Sequence, residues 1–128
     1  MNKKYNRKKG NWAEDVAVHY LQTHKGHKII ARNYLDRTGE IDIISTVNQL
    51  YVFTEVKYRT DIKHGSPGLA VNARKQQHII KTAILFMQKR KIRNTSMRFD
   101  VVEVVGRQGG HIYIRHTEGA FTSNNYYY

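Results

Sequence analysis

The 128-residue chain contains no cysteine. That excludes a disulfide scaffold, a thiolate zinc site and a cysteine nucleophile. It holds a single proline, Pro67, so the periodic segments on either side are uninterrupted. No apolar run approaches the roughly 18 residues that a membrane-spanning helix needs. The basic start, Met1 to Gly10, is followed by no hydrophobic signal region, which leaves a soluble cytoplasmic protein as the expectation. Acidic residues are scarce and unevenly placed. Between Asp61 and Asp100 there is none, whereas Lys63, Arg74, Lys75, Lys81, Lys89, Arg90, Lys91, Arg93 and Arg98 all fall in that stretch. The formal net charge is +12. A domain this basic suits a polyanion, because neutralising phosphates releases condensed counterions. Nucleic acid, DNA or RNA alike, is the partner that this charge implies.

What is present is the composition of one globular domain, with 40% hydrophobic and 25% charged residues. The reading is a flexible basic arm at 1–9, a single domain at 10–122 and a flexible tail at 123–128. Ala13, Val16, Ala17, Tyr20 and Leu21 make one helical stripe, predicting a helix from about Asn11 to His24 with Gly26 beyond its end. Strands are predicted at Lys28 to Tyr34, Glu40 to Ser45 and Leu50 to Tyr58, the last two joined by a turn at Val47-Asn48-Gln49. A loop from Thr60 to Gly68 leads to a second helix, from about Asn72 to Arg90. Asn72 is its cap, and Ile79, Ile80, Ala83, Ile84, Phe86 and Met87 form its apolar face. Strands at Met97 to Val105 and His111 to His116 close the chain around a Gly109-Gly110 turn. The order αβββαββ gives an α/β fold, a mixed central sheet flanked by helices.

The chemistry lies in charges placed inside strands. Asp42 interrupts Ile41, Ile43 and Ile44, while Glu55 and Lys57 interrupt Val52, Phe53 and Val56. Such residues are poor strand formers and costly to bury unpaired. Period-two alternation puts Ile41 and Ile43 on one face and Glu40 and Asp42 on the other. It likewise groups Phe53, Glu55 and Lys57. A hairpin over residues 47–49 brings Asp42 near Glu55. Two carboxylates and a backbone carbonyl are hard oxygen donors suited to Mg²⁺, or Mn²⁺, beside a Lys ammonium. Glu40 shares the Asp42 face, and Glu14 on the first helix can reach the same place. The structural alternative is an ion pair of Lys57 with Glu55 or Asp42. The seven histidines show no metal-binding spacing and read as structural, with His64 the one to test. Trp12 reads as core, and the three closing tyrosines read as part of the tail.

Gly39-Glu40-Ile41-Asp42-Ile43-Ile44 followed by Val52-Phe53-Thr54-Glu55-Val56-Lys57-Tyr58-Arg59 resembles the PD-(D/E)xK nuclease signature, with Ile41 in the proline position. The closest resemblance is to the YraN family (UPF0102-type) of small bacterial proteins. It extends through residues 10–17 with Tyr20-Leu21, 29–34, 70–75 and Arg98-Phe99-Asp100-Val101-Val102. The layout is also similar to archaeal Holliday-junction resolvases. The resemblance implies a restriction-endonuclease-like core and a metal-dependent endonuclease acting on DNA, including branched or junction DNA. It implies Asp42, Glu55 and the Val56 carbonyl as metal ligands, and Lys57 as the residue that orients or activates the water. Glu14 would be an accessory acid, with Glu40 beside it, and Lys75 would stand near the site. Arg59, Lys63, Arg74, Lys75 and Lys81 are the candidate nucleic-acid contacts, and a homodimer follows by analogy with resolvases. The competing reading is a non-catalytic DNA- or RNA-binding protein that retains the fold.

Overall fold

The computed structural model describes residues 3–60 and 71–122, with residues 3–10 as backbone only. The elements are α1 (Lys3–Lys25), β1 (Lys28–Asp36), β2 (Gly39–Val47), β3 (Leu50–Arg59), α2 (Ala73–Lys89), β4 (Met97–Gly106) and β5 (Ile112–Phe121). They form one five-stranded mixed sheet in the order β1-β2-β3-β4-β5, with the layout of a restriction-endonuclease-like core. Only β3 and β4 run parallel; the other neighbours are antiparallel. The crossover through α2 is what a parallel pair requires. No helix among the described residues is long and apolar enough to cross a membrane.

Each helix covers one sheet face. The α1 stripe buries Ala13, Ala17 and Leu21 against Ile43, Val102 and Val104, with Val16, Tyr20 and Trp12 at its margin. On the other face α2 buries Ile79, Ile80, Ala83, Phe86 and Met87 against Ile41, Ile44, Phe53 and Phe99. Burying each large side chain contributes about 1.5–3 kcal/mol. Phe53 ties the layers together, meeting Phe86 edge-on at 6.0 Å and stacking on Phe99 at 5.7 Å. Asn72 caps α2 as its sequence suggests, its side chain accepting the Lys75 N–H at 2.9 Å. The β2–β3 hairpin turns on Asn48 and Gln49, whose φ values of 49° and 66° are the two positive angles of a type I′ turn.

Two boundaries and one facing differ from the sequence-based expectation. Helix α1 begins at Lys3 rather than near Asn11, so helical backbone occupies most of the segment read as an arm. Residues 3–9 hold good helix formers and no proline or β-branched residue, so nothing there stops the helix. Strand β5 continues past His116 to Phe121. Glu118-Gly119 looks like a strand end, but Gly119 takes φ 62° in an irregularity of the β4–β5 ladder and donates its N–H to Asp100 at 3.0 Å. Ile41 packs under α2 while Ile43 packs under α1, against simple alternation. The cause is the parting of β2 from β3, described below. The loop read at Thr60 to Gly68, with Lys63, His64 and Pro67, lies almost wholly outside the described residues, as does the tail.

Candidate functional site

The site is built where two strands part. The β2–β3 ladder runs from Val47↔Leu50 to Ile43↔Thr54 and goes no further. Beyond it, β2 stays with β1, pairing Ile41 with Tyr34 and Glu40 with Leu35. Strand β3 stays with β4 in unbroken register to Arg59↔Val105. The next pair in the hairpin would be Asp42 opposite Glu55, so these carboxyls stand at the apex of the opening. Asp42 Oδ2 accepts the Val56 N–H at 2.8 Å, satisfying a backbone donor that has lost its β2 partner.

Glu55 perturbs the Asp42 carboxyl. Burial pushes the Asp42 carboxyl up to about 8, and its hydrogen bond with Glu55 and the repulsion of that group add to the effect, against the Val56 N–H and Lys75. In the absence of a cation, Asp42 therefore holds its proton to a higher pH than an ordinary carboxyl does. Glu55 is buried, and its Oε2 lies 3.5 Å from Lys75 Nζ on the first turn of α2. The counter-charge on Glu55 therefore comes from Lys75, not from Lys57. Among the described residues Lys57 has no ion pair, so neither pairing considered from the sequence is formed.

On the α1 side the opening widens into a cleft of about 480 Å³ lined by Glu14, Asn33, Glu40, Asp42, Val56 and Tyr58, with Asn11 and Ala13 at its edge. Glu14 is buried, and its Oε1 accepts from Arg32 Nε at 3.0 Å and Asn33 Nδ2 at 2.9 Å. Burial raises the Glu14 carboxyl above its ordinary range, Arg32 opposes this, and nearby Asp42 raises it further. Asn33 lies beside Asp42 in the β1–β2 register and takes φ 52° within a strand, a left-handed conformation that asparagine tolerates better than most residues. Glu40 lines the same cleft from an exposed position. Glu14, Glu40 and Asp42 thus share one cleft, as expected. Glu55 and Lys57 do not line it, and Glu55 meets Asp42 at the apex.

Among the described residues no group of three or more His, Cys, Asp or Glu side chains forms a metal cage. The donor set nonetheless fits Mg²⁺ or Mn²⁺. Asp42 and Glu55 are hard oxygen donors with an unfavourable charge to neutralise, and Mg²⁺ keeps several of its waters. The Val56 carbonyl, on the same strand segment, is the oxygen that could serve as a third donor. Of the candidate nucleic-acid contacts, Arg74 and Lys81 are exposed on α2, Lys75 holds Glu55, and Arg59 Nε lies 3.4 Å from Glu103 Oε2. Lys63 lies outside the described residues. Arg32, Asn33, Tyr58 and Glu103 were not singled out from the sequence. The asparagine-containing turn-like break at Asn33 inside an apolar strand was the one local signal.

The proton held by Asp42 has a measurable consequence. Unfolding returns Asp42 to its ordinary value of 3.8, so between about 4 and 8 the native state binds the extra proton. Stability contributed by this group is complete below that window and is lost as pH rises through it. His27, lowered by burial, acts in the opposite sense near neutrality, so the difference between parent and variant isolates Asp42. In EDTA, Asp42→Asn is expected to unfold at higher temperature than the parent at pH 8, the advantage vanishing near pH 4. Equal melting temperatures across the range would count against a raised Asp42 carboxyl.

The family model described as "Uncharacterised protein family UPF0102" matches residues 13–104. A UPF0102 protein of Clostridioides difficile is 44% identical over 99 residues, covering 77% of this chain and 86% of that protein. One from Syntrophotalea carbinolica is 39% identical over 112 residues, covering 88% and 89% respectively. A third, from Trichlorobacter lovleyi, is 37% identical over 119 residues, covering 92% and 93%.

Proposed function

This chain belongs to the UPF0102 family, and from that premise we propose that it is a metal-dependent endonuclease that hydrolyses phosphodiester bonds in DNA, branched or junction DNA included. The observation that carries the reading is the facing of Asp42 and Glu55 at the parting of β2 and β3, with Lys57 on the same strand lacking an ion-pair partner among the described residues. Asp42, Glu55 and the Val56 carbonyl would hold Mg²⁺ or Mn²⁺. When bound, that ion supplies charge stabilisation at the phosphoryl group and a more acidic water.

The chain's own residues do the rest. Lys75 supplies the counter-charge to Glu55 and orients it from the helix side. Lys57, two residues along β3, offers an ammonium to the charge that develops on the phosphate. Glu14 is held by Arg32 and Asn33, and Glu40 stands at the rim of the cleft. Both are carboxyls placed to orient or receive a proton from water entering beside Asp42. Arg74 and Lys81 extend the positive surface along α2.

The deciding experiment incubates the purified protein with Mg²⁺ or Mn²⁺ and a panel of duplex, flap and four-way-junction DNAs. Cleavage that EDTA abolishes is the expected result. Binding without cleavage on any substrate would leave a nucleic-acid-binding protein that keeps the fold. Affinity is also expected to fall steeply with salt and to vary little with sequence, each neutralised phosphate adding about 0.9 to the slope of log K against log salt. A flat salt dependence would count against the phosphate backbone as the ligand.

A further inference from the structure

Past the catalytic apex, the sheet carries a second charged cluster. Glu103 on β4 is fully buried. It pairs in register with Lys57 on β3 and with Arg115 on β5, so all three project from one sheet face. Two guanidinium groups close on its carboxylate, Arg59 Nε at 3.4 Å and Arg115 Nη2 at 3.3 Å from Oε2. Neither Glu103 oxygen receives a hydrogen bond in proper geometry, and Arg59 Nε is a buried donor without an acceptor. The arginine side chains remain 34% and 31% exposed. A buried carboxylate held only by long ionic contacts is a poor stabilising device. It is well suited to anchoring two cations by charge while leaving the Arg59 fork incompletely hydrogen-bonded. With Lys57, the cluster carries three positive groups around one negative.

We propose that Arg59 and Arg115, positioned by Glu103, form a clamp for one phosphate of bound DNA, next to the phosphate that meets Asp42, Glu55 and Lys57. The strand rise of about 3.3 Å per residue puts the Arg59 Cα roughly 13 Å from that of Glu55 and about 7 Å from that of Lys57. The clamp therefore flanks the site along β3 without entering it. Guanidinium forks match phosphate oxygens in a bidentate way that a Lys ammonium does not. The assignment rests on the reading of DNA as the substrate, but not on cleavage.

The test uses the full chain in EDTA, with anisotropy of a labelled DNA duplex measured over a salt series. The double variant Arg59→Gln/Arg115→Gln is expected to bind roughly tenfold more weakly at low salt and to lower the salt slope by about 0.9, one phosphate's worth. Lys28→Gln, an exposed charge removed at the far edge of the sheet, is the comparison and should change little. A folded double variant with the parent's slope and affinity, or one that merely melts earlier, overturns the clamp. If the double variant does not fold, Arg115→Lys retains the counter-charge to Glu103. It should then keep the slope and bind severalfold more weakly; unchanged affinity overturns the proposal equally. Calorimetry of Mn²⁺ with the parent and Asp42→Asn reports on the nuclease reading by itself. The two readings therefore fail separately.

Discussion

Replacing Lys57 with alanine is expected to leave folding and DNA affinity close to the parent's while single-turnover cleavage of a junction substrate falls by about 10²- to 10³-fold, the scale for losing a preorganised group that stabilises transition-state charge. The two halves of that expectation come from different observations. Stability should hold because Glu55 takes its counter-charge from Lys75 at 3.5 Å, and no ion pair to Lys57 exists among the described residues to be broken. Cleavage should fall because Lys57 is the ammonium nearest along β3 to the carboxyl pair. Lys75→Ala should behave in the opposite way, leaving a buried Glu55 uncompensated and weakening Mn²⁺ binding and stability together. Thermal unfolding and single-turnover rates, taken on both variants, separate these roles. Parent-like cleavage by Lys57→Ala would refute its part in the chemistry. A large loss of stability in that variant would restore the structural ion pair.

The second large effect lies away from the site. Asp100→Ala is expected to lower the unfolding free energy by about 3–5 kcal/mol, the range for removing one partner of a buried ion pair. Asp100 is fully buried on β4. Arg98 donates to both of its oxygens at 2.8 and 2.9 Å, and Gly119 N–H donates at 3.0 Å. His116 Nε2 lies 2.8 Å from Oδ2, and the Tyr20 hydroxyl lies 3.0 Å from His116 Nδ1, linking α1, β4 and β5. Burial alone would raise the Asp100 carboxyl, but hydrogen bonds from His116, Arg98 and Gly119 hold it below its ordinary 3.8. Its stabilisation is present above that value and fades as pH falls through the lowered one. Alanine leaves Arg98 without its bidentate partner and strands the β4–β5 irregularity at Gly119. Urea unfolding near neutral pH measures the loss. A change below about 1 kcal/mol would mean that the network adds little to the fold.

The sequence by itself determined the elements that carry the site. Apolar spacing at Ala13, Ala17 and Leu21 and at Ile79, Ile80, Ala83 and Phe86 is a local property of the chain, and these residues are the buried helix faces. The turn at Asn48 sets the hairpin register, and from that register alone Asp42 comes opposite Glu55. The charge excess and the strand carboxylates were legible for the same reason: each is a statement about residue types at fixed, short separations. What only the tertiary structure decided is which groups answer those charges. Lys75 reaches Glu55 because Phe86 and Ile80 seat α2 on the sheet, and Lys57 is thereby left without that partner. The parting of β2 from β3 at Ile43 turns Asp42 onto the Val56 N–H and sends Ile41 and Ile43 to opposite layers, which period-two counting does not foresee. Glu103 read as one more strand residue until β3 and β5 brought Arg59 and Arg115 to it. Pattern rules act over a few residues, whereas the pairing of a buried charge is settled by whichever distant cation the packing of the layers brings within reach.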